Sequence, residues 1–156
     1  MKTSFFYILS ICIIPFLGYQ NREEAAIKKV LETESATWRS GDIKAHAACW
    51  HIQPYSKILV STTEGKCFDV APENMIHPPS GKLGDGGSSY NLNYQFSIHG
   101  QFAWVSHDEV SLSKDNHKTY SHEIRLLEKI NGEWKLVGQS IHLYQPYNNK
   151  RTIPAF

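Results

Sequence analysis

The run Leu127-Glu128-Lys129-Ile130-Asn131-Gly132-Glu133-Trp134-Lys135-Leu136-Val137 decides how this sequence folds. Asn-Gly is a strong two-residue hairpin signal, because both turn positions favour positive φ. It predicts strands over Thr119 to Ile130 and Glu133 to Tyr144. Upstream, Phe102 to Leu112 reads as a strand that turns near Lys114 to His117. Tyr90 to His99 reads as its neighbour across Gly100-Gln101. Ser80 to Ser89 is a loop holding Gly81, Gly84, Gly86 and Gly87. It lacks the Walker spacing, which disfavours a phosphate cradle. Ala71 to His77 suits a short helix, with Pro72 early in it. Ile58 to Thr62 and Lys66 to Phe68 read as a strand pair around Glu64-Gly65.

The period changes nearer the N-terminus. Ile27, Leu31, Glu34 and Trp38 share one helical face, which predicts a helix over Asn21 to Ser40. Asn21 and Glu24 resemble a capping box, and Gly41 suits the left-handed end. Asp42 caps a second helix from Ile43 to about His51, before Pro54. Two helices followed by antiparallel strands make an α+β domain.

The chain has 156 residues, room for one domain. It is 41% hydrophobic and 20% charged, an ordinary globular composition that disfavours disorder and coiled coil. The formal charge of +1 implies no basic face, so nucleic acid is not an expected partner. Met1 to Ser4 is a short positive segment, and Phe5 to Leu17 is apolar. That stretch is short against the roughly 20 residues a membrane crossing needs. Residues 1–20 therefore read as a signal peptide, cleaved near 18–20. An uncleaved anchor and a lipid attached at Cys12 are the weaker alternatives. The protein is then exported, periplasmic or secreted, with no membrane attachment after cleavage. Cleavage removes Lys2 and no acid, leaving a formal charge of zero. Cys49 and Cys67 remain, either as two thiols or as a disulfide contributing about 3 kcal/mol. Residues 148–156 read as a frayed tail.

The order of elements resembles the nuclear transport factor 2-like superfamily, and within it the SnoaL-like group. The residues that carry the resemblance are Ser40-Gly41-Asp42, Gly100-Gln101-Phe102-Ala103-Trp104-Val105, and above all the 127–137 hairpin. It covers roughly residues 22–146 and assigns 21–147 to the domain. It implies a cone-shaped fold, with N-terminal helices packed on a strongly curved, mostly antiparallel sheet that encloses a pocket. It also implies a homodimer joined through the outer sheet face. Members include isomerases, cyclases, dehydratases, hydrolases and non-enzymatic binding modules, so the fold does not fix the function.

Counting outward from the turns gives a register. Arg125 then pairs with Gly138, Glu123 with Ser140, Ser121 with His142, Gln95 with Ser106 and Asn93 with Asp108. A four-residue third loop sets Asp108 beside Glu123. One face then carries Asn93, Asp108, Glu123 and Ser140, flanked by Gln95, Ser106 and Arg125, with His142 to one side and Trp104 beyond. The other face carries Leu92, Tyr94, Phe96, Ile98, Val105, Ile124, Leu126, Val137, Ile141 and Leu143. Hydrophobicity alone turns that second face to the helices. The resemblance turns the polar face inward, because several members place a pocket-facing Arg at the position of Arg125.

On the inward reading, Asp108 or Glu123 is an acid/base candidate, since adjacent carboxylates raise one another's pKa. His142 is a proton shuttle candidate. Arg125, Ser140, Asn93, Gln95, Ser106, Trp104 and Trp38 are ligand-binding candidates. The expected function is binding of a small polar or anionic molecule. The alternatives are a cofactor-free isomerase, dehydratase or hydrolase, and a protein-interaction domain. No cofactor is called for. No metal is expected, because His46 and His51, His107, His117 and His122 lack ligand spacing and there is no paired Cys motif.

Overall fold

The computed structural model describes residues 14–146 apart from 82 and 85, so most of the expected signal peptide and the expected C-terminal tail, residues 148–156, lie outside the described residues. Helix α1 spans Ile14–Ser40 and α2 Ile43–Ala48. Strands follow as β1 Ile58–Ser61, β2 Cys67–Val70, β3 Ser88–His99, β4 Phe102–Leu112, β5 Lys118–Ile130 and β6 Glu133–Tyr144, with a 3-10 turn at Pro72–Met75. The strands form one open six-stranded sheet in the order β2-β1-β6-β5-β4-β3. It is an α+β fold, antiparallel throughout except where β1 runs parallel to β6.

The apolar stripe of α1 decides which side the helices occupy. Ile27 and Leu31 are fully buried among Ala103, Val105, Leu127, Trp134 and Leu136 of the sheet. Glu23, one turn earlier on the stripe, accepts from Trp134 Nε1 and Lys129 Nζ, both at 2.7 Å. The helix is thereby fastened to the Asn-Gly hairpin.

Both helices differ in length from the sequence expectation. α1 begins at Ile14, so Asn21 and Glu24 lie inside it and do not cap it. Pro15 falls in the first turn, where its missing N–H costs nothing. Gly18 is tolerated within the helix, which ends before Gly41. α2 ends at Ala48 because the next residues join the sheet. Leu136 N donates to Cys49 O and His51 N to Leu136 O, both at 2.8 Å. Asp42 does cap α2, accepting from Ala45 N at 2.9 Å. Gly41 takes φ 77°, and the glycine-rich loop closes over it, with Gly84 N on Trp38 O and Gly86 N on Arg39 O at 3.0 Å. The glycines thus satisfy the exposed carbonyls of the helix end. Cys49 is buried and Cys67 exposed, and the two are not bridged.

Three departures from the counted register place the side chains. Ile130 pairs with Glu133 and Leu127 with Leu136 as the turn demands, but Leu126 pairs with Gly138, leaving Val137 as an extra residue. Arg125 then faces Gln139, and Glu123 faces Ile141. The third loop has five residues. Ser113 is drawn into it, accepting from His117 N at 3.0 Å, so Asp108 pairs with His122 and His107 with Glu123. The β3–β4 ladder runs as expected through Gln95 and Ser106, then shifts at Asn93, which sits at φ 56°. Each one-residue slip moves the rest of the strand to the opposite face.

Candidate functional site

The slips divide the expected polar row. Glu123 and Arg125 point toward α1 and are buried. Asp108, Ser106, Gln95, Trp104, Ser140 and His142 belong to the outer face. There Asp108 lies buried under its neighbours, accepting from Asn93 Nδ2 at 2.7 Å and pairing with His122 Nδ1 at 2.8 Å. His142 lies across from His122 and bonds to Ser140 Oγ at 2.8 Å. Trp104 is 54% exposed. Trp38 is half-buried on the inner side of α1, on the same side of the sheet as Glu123 and Arg125.

The inner residues surround a cavity of about 330 Å³ between α1 and the sheet. Its apolar wall is built by Ile58 and Val60 of β1, Val70 of β2, Met75, and Ile141 and Leu143 of β6. Trp38 closes the helical side. Its polar wall is a buried ionic cluster. Arg125 Nε donates to Glu123 Oε2 at 2.9 Å, and Nη2 donates to the same oxygen. Arg125 Nη1 donates to Gln139 Oε1 and, at 3.3 Å, to Glu34 Oε2. Ser121 Oγ donates to Glu123 Oε1 at 2.8 Å. Beside this group, Arg39 Nη2 pairs with Glu109 Oε1 at 2.7 Å, and Ser35 Oγ donates to Glu109 Oε2 at 2.7 Å.

Burial treats the ionisable groups unequally. It holds the Glu34 carboxyl above its ordinary range, against the pull of Arg125. Burial also pushes Glu109 up, but Arg39, Ser35 and Ser111 outweigh it and bring the carboxyl below that range. His107 is pushed down by burial and by Arg125, which favours the neutral ring. Burial opposes the charge of Arg125, yet Glu123, Glu34 and Glu109 raise its pKa beyond that of a free guanidinium. The site therefore holds the Arg125 cation, a Glu109 biased toward ionisation, and a Glu34 biased toward its protonated form. His46 lies on the far side of Glu34. Its Nδ1 is 3.2 Å from Glu34 O, and its Nε2 is 3.8 Å from Glu34 Oε1 with no hydrogen-bond partner. A donor role at Nδ1 fixes the tautomer and leaves Nε2 as an acceptor facing the carboxyl.

Glu34, Glu109, Arg39 and Gln139 join the site beyond the residues expected from sequence. Glu34 carried a usable signal, a carboxylate on the apolar stripe between Leu31 and Trp38. Glu109 and Gln139 carried none, since their facing depends on Ser113 and Val137. Among the described residues no group of three or more His, Cys, Asp or Glu could hold a metal.

No protein-family model matches the chain, and no curated protein does. Solved structures do. An NTF2-like protein of unknown function from Shewanella baltica OS155 is 15% identical, with a TM-score of 0.61 over 80% of this chain and 96% of that one. A protein of unknown function with a cystatin-like fold from Nostoc punctiforme PCC 73102 is 12% identical, with a TM-score of 0.61 over 81% and 95%. An NTF2-like protein of unknown function from Methylobacillus flagellatus KT is 20% identical, with a TM-score of 0.58 over 80% and 94%. At these identities the likeness is one of fold, and the chain has the NTF2-like, cystatin-like fold.

Proposed function

We propose that this chain is an exported, SnoaL-like domain that binds a small polar molecule in the cavity between α1 and the sheet. The observation that carries the reading is the pairing of a buried ionic wall with an apolar one around about 330 Å³ of space. Small-molecule sites combine apolar lining with a few fixed polar groups in cavities of this size. Arg125 already serves Glu123, Gln139 and Glu34, so it offers an anion little that its neighbours do not take. That favours a polar ligand over an anionic one. Export rests on the reading of residues 1–20, and no helix among the described residues is long and apolar enough to cross a membrane.

A cofactor-free acid/base reaction is the second reading, favoured by Glu34. A carboxyl that keeps its proton beside a cavity is suited to donate it, as general acids do. This moves the acid role from Asp108, which lies on the outer face, and from Glu123, which lines the cavity but already accepts from Arg125 and Ser121, to Glu34 on α1.

A thermal-shift screen of the protein from Asn21 onward against small metabolites tests the binding reading. A ligand at a hundredfold excess over its Kd should stabilise by about 2.7 kcal/mol. Trp38→Ala should weaken any hit, while Trp104→Ala, on the outer face, should leave it unchanged. A hit insensitive to Trp38 and lost in Trp104→Ala would refute the inner cavity as the site.

A further inference from the structure

We infer that the inner cavity takes an organic cation, a primary or secondary amine with an apolar body, whose ammonium sits against Glu34. The inference rests on the binding reading above and gives it a ligand class.

The fixed charges of the wall do not balance. Glu34, Glu109 and Glu123 face Arg39 and Arg125, an excess of one carboxylate among side chains that are themselves buried apart from Arg39. Isolated charges are costly in such surroundings, so either a proton or a bound cation must make up the difference. The protein's own donors do not complete the shell. Glu34 receives Arg125 only at 3.3 Å, the longest of the guanidinium's contacts. Two imidazoles point at the cluster without joining it. His46 is fully buried, and its partnerless Nε2 stops 3.8 Å from Glu34 Oε1. His107 is 1% exposed, both its ring nitrogens lack partners, and Nε2 stops 3.7 Å from Glu123 Oε2. Glu34 thus lacks the donors that a ligand N–H would supply, whereas Glu123 already accepts from Arg125 and Ser121. The rest of the cavity suits the remainder of such a molecule. Trp38 offers an indole, the best aromatic partner for an ammonium. Ile58, Val60, Ile141 and Leu143 accept hydrocarbon.

Proton linkage follows. In the empty site burial raises the Glu34 pKa, Glu123 and Glu109 add repulsion, and Arg125 and His46, facing it from α2, pull against them, so the carboxyl holds a proton to higher pH than a free one. An arriving ammonium replaces that proton. Binding should therefore release about one proton per amine at acidic pH, and affinity should rise as pH increases toward the raised pKa of Glu34.

Cyclohexylamine, cyclohexanol and cyclohexanecarboxylate form the test, by calorimetric titration of the wild-type protein in two buffers of different ionisation heat. The amine should bind at least about tenfold more tightly than the alcohol, the value of one charge-assisted hydrogen bond. Its apparent heat should differ between buffers by the released proton. Glu34→Gln should remove both the amine's advantage over the alcohol and the proton release. The wild-type comparison stands even where that variant does not fold. Equal or tighter binding of the alcohol or the carboxylate overturns the cation and leaves the cavity as a binding site. Failure of all three probes at millimolar concentration overturns both readings.

Discussion

Arg125 is the residue on which the interior depends. It is 4% exposed and is the only guanidinium donor to Glu123 and Glu34 among the described residues. A buried ion pair adds little to stability over a well-packed apolar replacement, but removing one partner leaves the other charged and unpaired. Arg125→Ala should therefore cost about 3–5 kcal/mol. Glu123→Gln in the same chain should recover part of the loss, because the carboxylate that suffers most is then neutral. Urea unfolding of the single and double variants measures both effects. A single-variant loss no greater than a surface substitution would mean that water reaches the cluster, and the low-dielectric account of Glu34 would fall with it.

At the scale of elements, the end of α1 is the most exposed to a single change. Gly41 sits at φ 77°, and a Cβ there would come 3.2 Å from the Gly84 Cα. Gly41→Ala should destabilise the protein by about 1–2 kcal/mol, from the left-handed backbone and from displacing the loop over the helix carbonyls. Gly65→Ala, at the same φ but with nothing within 4 Å, isolates the backbone share. The difference in urea midpoint between them measures the packing of Gly41 on Gly84. The elements themselves were legible in the sequence. Phe102–Leu112 and Glu133–Tyr144 emerge from turn residues and period alone, because those signals are local. The facing of their side chains was not legible. Val137 enters β6 as an extra residue, and Ser113 leaves β4 to close a loop. Neither event has a marker within its own few residues. Glu123 and Arg125 nevertheless stayed together, since they lie on the same side of one strand. Their companions changed, from Asp108 and Ser140 on the counted register to His107, Gln139 and Glu34.

At the scale of the whole molecule, no helix among the described residues covers the outer face of the sheet, since α1 packs on the other. Phe102 is 62%, Trp104 54%, Leu126 38% and Leu59 38% exposed. Phe102, Trp104 and Leu126 border a groove of about 390 Å³ with Tyr55 and Val137. Large aromatic side chains in a continuous outer surface are characteristic of interface centres rather than of solvated sheet. A two-fold contact sets each such residue against its counterpart or a neighbour of it, so one charged substitution acts twice. We expect the protein to sediment as a dimer at micromolar concentration. Trp104→Glu should convert it to a folded monomer, by placing two carboxylates in an apolar contact. The variant's far-ultraviolet circular dichroism should stay unchanged, because Trp104 supports no part of the helix-side core. A wild-type monomer would assign the exposed aromatics to a different partner. A dimer that survives Trp104→Glu would place the two-fold contact elsewhere on the chain.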